Sequence, residues 1–311
     1  MPESTPLTIG FCAQAACILD VVSCKPGNVG LHSPHADMTA ADMLLSAAAI
    51  APIMEQAPTR PVGTTILECV RATRRVTDVN TNLGIVLLLA PLASVPPQSD
   101  LRGGVMRTLL RLTVDDARKA FEAIRLANPG GLGTVSAQDV SREPTVTLRE
   151  AMALAADRDM IARQYINDFE QVFEAAELLT AIEVPDESKL HTQIVRAYLQ
   201  LLSKYPDSHI ERKFGRAASV EVSDAAQQIV ESGPEHFGWA VLALHVWLRS
   251  GCHGPFRFVP GLPPDRISEL RRDARNPGTP ADLITAALFV ALRRGMISLP
   301  LRRDEPDLSA E

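Results

Sequence analysis

The chain has 311 residues and a formal net charge of −6, and 46% of its residues are hydrophobic while only 5% are aromatic. A chain of this length can bury a substantial core, and its acidic balance argues against a general nucleic-acid binder, which usually carries a basic excess. The five cysteines are odd in number and form no CxxC pair, which argues against a disulfide framework or structural zinc site and favours a cytoplasmic protein.

Helical periodicity of the apolar residues extends along nearly the whole chain. In order, the predicted helices cover 5–22, a segment from Thr39, 65–76, 82–94, 101–111, 114–127, a nearly continuous stretch from Thr147 to Ile182 with a break at 157–159, then 189–204, 222–232, 235–249, 264–274 and 280–294. Alternating β patterns are almost absent. We therefore predict an all-α fold of about 10–13 helices in one compact domain over 1–301, followed by a loose polar tail over 302–311.

No segment predicts a secretory signal or a membrane span. The first residues, Met1 to Ser4, lack a basic region, and the longest apolar run, Leu83 to Ala93, is about half of the ~20 residues that a span requires. We therefore expect no membrane partner. The Ala-rich helices leave open whether they pack within one chain or across a homodimer.

Four Thr-x-x-acid patterns stand ahead of apolar runs: Thr39 with Asp42, Thr65 with Glu68, Thr113 with Asp116, and Thr147 with Glu150. Each predicts a capping box, in which the hydroxyl and the carboxylate satisfy free amides of the first helical turn. For Asp42 a role in capping and a role in a functional site compete, because one carboxylate would have to serve both.

The loop Lys25-Pro26-Gly27-Asn28 is the first segment with chemical potential. A glycine lets the backbone approach a ligand closely, and a lysine adds a mobile positive charge, so the loop predicts contact with phosphate. His32, His35, Asp37 and Asp42 follow within a few residues. Imidazole and carboxylate are ligands for transition metals, but a nucleotide site with Mg²⁺ held by one or two carboxylates is the preferred hypothesis.

Three later segments carry further polar groups: Asn80-Thr81-Asn82-Leu83-Gly84, the basic stretch from Asp207 to Gly215, and Arg275-Asn276-Pro277-Gly278-Thr279-Pro280-Ala281-Asp282-Leu283. The asparagines of the first segment are also favoured helix caps, and the free amides at a helix start can bind an anion, so the two roles compete for one place. Asp207 and Ser208 can likewise begin a helix. The segment from Asn128 to Gly133 lacks the GK[ST] ending of a P-loop, and a glycine there is expected to end a helix.

Taken in this order, the four segments resemble those of the triphosphoribosyl-dephospho-CoA synthase family, which makes the prosthetic-group precursor of citrate lyase and malonate decarboxylase. That family has a Lys-Pro-Gly loop followed by His-x-Asp-Met, then Asn-Thr-His-Lys-Gly, Asp-Thr-Asn near Arg-Gly, and Ser-Pro-Gly-Gly-x-Ala-Asp-Leu-Leu. The resemblance extends from about Ala15 to Leu292. This chain has Asn82 and Leu83 where the family has His-Lys, and Asn276-Pro277-Gly278-Thr279 where it has Ser-Pro-Gly-Gly, which indicates a divergent branch.

The resemblance implies an all-α, ATP-binding transferase of coenzyme biosynthesis. Such an enzyme moves the 5-triphosphoribosyl group of ATP to a hydroxyl of 3′-dephospho-CoA or a related cofactor precursor and releases adenine, with Mg²⁺ accompanying ATP. It implies catalytic roles for His35, Asp37, Asp207 and Asp282, and Mg²⁺ binding by Asp37 and Asp42. The expected nucleotide-binding residues are Lys25, Gly27, Asn28, Asn80, Thr81, Asn82, Arg212, Lys213 and Gly278.

Three alternatives remain at the level of sequence. A metal-dependent nucleotide hydrolase would use His32, His35, Asp37 and Asp207 around a divalent ion. A non-catalytic nucleotide-binding relative would account for the changes at Asn82 and Leu83. A related transferase would act on a pterin or furan coenzyme intermediate of one-carbon metabolism.

Overall fold

A computed structural model describes residues 7–129, 138–180, 187–252, 256–258, 274–297 and 299. Within these ranges the chain forms α-helices, one short 3₁₀ turn at Ala57–Thr59 and a single isolated β-bridge between Gly30 and Ser33, without a named strand. The prediction of an all-α fold is therefore confirmed. The predicted tail over 302–311 and nearly all of the predicted helix 264–274 lie outside the described residues.

The helices are numbered in chain order. They are α1 Ile9–Val22, α2 Ala40–Glu55, α3 Val62–Thr73, α4 Leu83–Ala93, α5 Leu101–Leu110, α6 Val114–Ala127, α7 Leu148–Ala153, α8 Met160–Gln164, α9 Glu170–Thr180, α10 Glu187–Lys204, α11 Ser208–Phe214, α12 Arg216–Glu231, α13 Phe237–Arg249 and α14 Gly278–Arg293.

Three of the four predicted capping boxes form. Thr39 with Asp42, Thr113 with Asp116, and Thr147 with Glu150 each show the reciprocal side-chain and backbone hydrogen bonds. The fourth prediction, Thr65 with Glu68, is wrong. Helix α3 already begins at Val62 after Pro61, and the Thr65 hydroxyl donates to the Pro61 carbonyl; the Asp116 carboxylate accepts from the Gly63 amide, in the first turn, instead.

The stretch from Thr147 to Thr180 is more interrupted than its apolar pattern predicts. The expected break at 157–159 is present, between α7 and α8, but a second break separates α8 from α9. There Asp168 and Phe169 adopt positive φ values of 58° and 63°, which a helix does not permit. Helix α12 begins at Arg216, six residues before the predicted start. Helix α6 ends at Ala127, and its cap is Asn128 in the left-handed conformation instead of the expected glycine.

The core is built around two of the most apolar helices. Helices α4 and α14 are buried over most of their length and pack against each other, and α14 also packs against α1 and α9. Since neighbouring helices cover both, they can be hydrophobic all round. None of the helices that the structure describes is long and apolar enough to cross a membrane. The arrangement brings the first turns of α4 and α14 to one side of the core, next to α8 and α11.

Candidate functional site

The first turns of α4 and α14 open into a cavity of about 720 Å³. One side is polar and comes from the 35–38 loop, α11 and the start of α14; it includes His35, Asp37, His209, Arg212, Lys213, Asn276, Thr279 and Asp282. Other parts of the wall are largely apolar and come from α4, α6, α7 and α8; they include Leu83, Leu87, Phe121, Ile124, Met152 and Ile161. A mostly apolar pocket with a few convergent polar groups is typical of a small-molecule site.

Asp282 and Gly84 lie against each other in the cavity wall. A Cβ atom on Gly84 would stand 2.0 Å from Oδ2 of Asp282, so only a glycine leaves space for this carboxylate. Burial raises the pKa of Asp282 well above its usual range, and the nearby carboxylates of Asp20, Asp207 and Asp159 raise it further. Among the described residues Asp282 has no hydrogen-bond or ion-pair partner. It is therefore a carboxyl group that keeps its proton to a higher pH than an ordinary aspartate does, and it is available to a ligand.

His35 is fixed by the loop that precedes it. Its Nε2 lies 2.8 Å from the carbonyl oxygen of Gly27. A carbonyl can only accept, so Nε2 carries the proton and Nδ1 keeps its lone pair. The amide of Gly27 in turn donates to Nδ1 of His245 (3.3 Å), whose Nε2 faces the Ser33 hydroxyl (3.2 Å). Burial and the charge of Arg249 lower the pKa of His35, so the ring is neutral at physiological pH.

Basic groups gather where α11 meets the cavity. Arg212 and Lys213 are exposed side chains in its last turn, and His209 lies on the same helix next to Gly278. Nε2 of His209 is buried without a partner among the described residues. Burial and the charges of Lys213 and Arg212 lower the pKa of His209 to about 4. This end of the cavity therefore offers positive charge and one imidazole nitrogen with no internal hydrogen bond.

Arg212 is not free, because it bridges α11 to α8. Its Nη1 lies 2.9 Å from Oδ2 of Asp159, while Oδ1 of Asp159 accepts the amides of Ile161 and Ala162 and so caps α8. The bridge spans the cavity wall, and a bound anion must compete with Asp159 for the guanidinium.

Lys25 lies outside the cavity, contrary to the expected phosphate contact. Its side chain is 2% exposed, and its Nζ sits 3.0 Å from Oδ1 of Asp20 and 2.5 Å from the Asp20 carbonyl oxygen. Asp20 itself is 4% exposed. The ammonium group of Lys25 is therefore paired inside the protein with Asp20, five residues earlier in the chain.

Gly27, Asn28 and Gly278 also serve contacts within the protein. Nδ2 of Asn28 donates to Oδ1 of Asn276 (2.6 Å) and to the carbonyl of Pro277 (3.0 Å), directly before α14 begins at Gly278. Gly27 has φ +79°, and a Cβ there would stand 2.8 Å from Cδ of Pro277. The first and last of the four segments are therefore joined side by side, as the hypothesis of one site requires.

Asp207 is 1% exposed and does not line the cavity. Its Oδ1 accepts the Ile210 amide as the cap of α11, and its Oδ2 accepts the Thr279 amide (2.9 Å) in the first turn of α14. Burial raises the pKa of Asp207 to about 6, although these amides oppose the shift. The position of Asp207 therefore does not support the expected catalytic contact, because its two carboxylate oxygens link α11 to α14.

Three further predicted residues are held in local contacts away from the cavity, namely Asp42, Thr81 and Asn82. Asp42 completes its capping box and accepts the Thr77 hydroxyl (2.9 Å), hydrogen bonds that lower its pKa. The Thr81 hydroxyl meets that of Ser46 (2.6 Å), and the Asn82 amide exchanges hydrogen bonds with the Thr73 hydroxyl. Their positions do not support the expected metal and nucleotide contacts. Asn80 does line the cavity, and its Oδ1 accepts the Leu83 amide (3.2 Å), so it caps α4.

Sequence reasoning missed Asp20, Asp159, His209 and His245 as parts of this region. A signal existed for Asp20, the single acid in an otherwise apolar helix, and for Asp159, which stands at the predicted break before α8. His209 stands within the basic stretch from Asp207 to Gly215 that was predicted to belong to the site, although it was not singled out. His245 carried no signal, since a histidine on an apolar helix is by default a packing residue. Within the described ranges no three His, Cys, Asp or Glu side chains converge as metal ligands, so the hydrolase hypothesis gains no geometric support.

Two comparisons with known proteins point to one family. Residues 6–250 match the sequence model of the CitG family, described as ATP:dephospho-CoA triphosphoribosyl transferase. A crystal structure from Archaeoglobus fulgidus, whose own assignment as a triphosphoribosyl-dephospho-CoA synthase is provisional, superposes with a TM-score of 0.60 and 25% sequence identity; the match covers 82% of this chain and 100% of that one. The chain has no significant match among curated proteins.

Proposed function

The chain belongs to the ATP:dephospho-CoA triphosphoribosyl transferase family, and from that premise we propose that its cavity transfers the 5-triphosphoribosyl group of ATP to a hydroxyl of 3′-dephospho-CoA or a related cofactor precursor. Adenine leaves in the same reaction. The observation that carries the proposal is the meeting of Asp282, His35 and the basic end of α11 around one cavity. An acid, a base and phosphate-binding cations are the groups that this chemistry requires.

Asp282 is the proposed general acid. Cleavage of the N-glycosidic bond of ATP leaves negative charge on the adenine, which a positioned proton donor neutralises. A carboxylic acid performs this role near pH 7 only if its pKa is raised, and burial together with the carboxylates of Asp20, Asp207 and Asp159 raises the pKa of Asp282. Asp282 lies against Gly84, and both residues line the cavity.

His35 is the proposed general base for the incoming hydroxyl. The hydrogen bond from Nε2 to the Gly27 carbonyl leaves Nδ1 unprotonated, and the lowered pKa keeps the ring neutral. As Nδ1 takes the hydroxyl proton, the new C–O bond forms at the ribose carbon from which adenine departs. The two proton transfers thus balance: one proton leaves His35 for solvent later, and Asp282 is reprotonated.

Lys213, Arg212 and His209 are the proposed triphosphate-binding residues. Lys213 is an exposed cation on the cavity, and Arg212 can turn from Asp159 to a phosphate in a bidentate contact. Nε2 of His209 is buried without a partner, which a phosphate oxygen would relieve. The apolar wall with Leu87, Phe121 and Met152 is suited to the flat face of a nucleotide base.

Mg²⁺ is proposed to enter with ATP. The donor chemistry fits, because Asp37 is an exposed carboxylate on the cavity, Asp78 is a second one, and Mg²⁺ in proteins is commonly bound by one or two carboxylates plus substrate phosphates. Asp42 is not proposed for this role, because its carboxylate oxygens already accept hydrogen bonds from Thr39 and Thr77. When bound, the ion would offset negative charge on the triphosphate.

The test is to incubate the purified chain with ATP, Mg²⁺ and 3′-dephospho-CoA and to follow adenine and the triphosphoribosyl adduct by mass spectrometry. Adenine together with a mass-matched adduct is expected. Binding of ATP without adenine release in the presence of 3′-dephospho-CoA and a panel of hydroxyl-bearing cofactor precursors would contradict the proposal. Release of phosphate instead of adenine would favour a nucleotide hydrolase.

A further inference from the structure

We propose that Lys25 and Asp20 are positioning residues: their buried ion pair holds the loop at 25–28, and this loop holds His35 and the first turn of α14 at the cavity wall without touching the substrates. The inference rests on the proposed function for the roles of His35 and Asp282. The residue type of Lys25 and its neighbouring glycine suggest phosphate binding. The inference assigns Lys25 a different task.

The ion pair anchors the loop to α1 and α14. Both side chains are almost fully buried; the Lys25 ammonium group donates to the main-chain carbonyl of Asp20 and forms an ion pair with its carboxylate (Nζ–Oδ1 3.0 Å). Helix α1, which carries Asp20, packs in turn against α14, the helix of Asp282. A buried charge is tolerated only when it is paired, so the lysine and the aspartate require each other.

Each of the three residues after Lys25 makes at least one further contact with the site's framework. The carbonyl of Pro26 accepts the buried hydroxyl of Tyr198 (2.9 Å). The carbonyl of Gly27 fixes the ring of His35, and the side chain of Asn28 holds Asn276 and Pro277, which lead into α14. The loop is therefore held on its inner side by Lys25 and Tyr198. On its outer side it holds His35 directly, and it holds Asp282 through Asn276 and Pro277, which lead into α14.

The geometry separates this role from a phosphate contact. The Lys25 ammonium group does not line the cavity, whereas Lys213 does. A ligand could reach Lys25 only if the Asp20 pair broke inside the core. Removing one partner leaves an uncompensated buried charge, but replacing both by neutral groups of similar shape is often tolerated. A positioning pair should therefore show rescue, and a substrate contact should not.

The experiment compares Lys25→Met with the double variant Lys25→Met/Asp20→Asn in the full-length chain. We expect the single variant to lose at least 100-fold in kcat, with the KM and Kd of ATP changed less than threefold, and the double variant to recover at least tenfold of that loss. Lys204→Met is the matched control, because Lys204 pairs with Glu174 at the surface away from the cavity, and it should keep wild-type activity. Circular dichroism monitors folding.

The split between kcat and the Kd of ATP, together with rescue in the double variant, is a readout that mere loss of stability would not move. If Lys25→Met does not fold, the double variant and Tyr198→Phe, which loses only the hydroxyl on Pro26, carry the test with the same expectation of lowered kcat at unchanged Kd for ATP.

A tenfold or larger rise in the Kd of ATP for both Lys25 variants, without rescue, would overturn the inference in favour of a direct phosphate contact. Calorimetric ATP binding does not depend on turnover. A wild-type chain that binds ATP but releases no adenine would therefore contradict the proposed function alone, and the comparison of Kd values would still decide the role of Lys25.

Discussion

Two lysines stand in segments that look alike as phosphate-binding sequences, and the fold puts them in opposite environments. Lys25 follows the last turn of α1 and is buried against Asp20, while Lys213 lies in the last turn of α11 and faces the cavity. The inner lysine is matched by an internal carboxylate. Among the described residues the outer lysine has no ion-pair partner.

The difference shows that charge and local motif do not determine whether a cation meets a ligand. What decides is whether an anion within the same chain is buried with it. A buried Lys–Asp pair contributes specificity of arrangement more than net stability, whereas an exposed lysine on a concave wall attracts anions from solvent. The inner region should therefore govern kcat and the outer region the affinity for ATP.

The largest effect is expected for Asp282, the proposed general acid. Asp282→Asn keeps the shape of the side chain but removes the proton that it would donate, so kcat should fall by about 10²–10⁴-fold, the range typical of a general acid. ATP binding should remain within a few-fold of wild type. Adenine release under saturating ATP measures the change.

Asp224→Asn, on an exposed face of α12, is the matched control and should be fully active. Asp282→Asn with more than a tenth of wild-type kcat would show that Asp282 is not the proton donor.

A second prediction contrasts the outer cation with the inner one. Lys213→Ala removes a charged hydrogen-bond donor from the triphosphate, worth about 1.5–3 kcal/mol, so the KM of ATP should rise about 10–100-fold with little change in kcat. The effect should shrink at high salt, because the group is exposed and screened.

Arg216→Ala serves as control, because Arg216 is exposed, pairs with Glu211 and does not line the cavity. An unchanged KM in Lys213→Ala, or an equal rise in Arg216→Ala, would remove α11 from the phosphate site.

The contrast also explains how much of this molecule can be predicted from its sequence. Helix starts depend on residues a few positions apart, so Thr39, Thr113 and Thr147 predicted α2, α6 and α7 correctly. Helix α3 escaped prediction at its start because its cap comes from Asp116, more than fifty residues away.

The site was predictable as a set of segments but less so residue by residue. The loop at 25–28 and the turn before α14 do meet, and His35, Asp37, Asn80, Arg212, Lys213 and Asp282 do line one cavity. The contacts that hold Lys25, Thr81 and Asn82 away from the cavity are made to Asp20, Ser46 and Thr73, which no local pattern specifies. Asp42 was predicted locally as a capping residue, and only its contact with Thr77 depends on the tertiary fold.

A third prediction probes the space that the fold leaves for Asp282. Gly84→Ala places a methyl group 2.0 Å from Oδ2 of Asp282, so the carboxyl group must move, and kcat should fall about tenfold or less. Alanine favours the helix by up to about 1 kcal/mol over glycine, but the methyl group would also stand 2.6 Å from Cδ1 of Ile161, so urea unfolding is measured beside kcat.

Gly238→Ala in α13 is the matched control, since a Cβ there meets nothing within 4 Å. Equal kcat in both glycine variants would show that the exact place of the Asp282 carboxyl group does not matter for turnover.

The smallest expected effect lies at the border between the two regions, where His209 is kept neutral by burial and by the charges of Lys213 and Arg212. Its pKa is about 4 in the folded chain and 6.5 in the unfolded one, so the unfolded chain binds the extra proton between these values. The stability that neutral His209 supports is therefore present above pH 6.5 and is lost as the pH falls toward 4. In His209→Gln this loss disappears. Urea unfolding at pH 7.5 and pH 5 should therefore show a decrease in the free energy of unfolding that is smaller by about 1–2 kcal/mol than in wild type.

His236→Gln, at an exposed position, should keep the wild-type decrease. An unchanged decrease in His209→Gln would mean that the basic end of α11 does not repel a proton from this ring, and the same field could then not be invoked to draw a triphosphate to it.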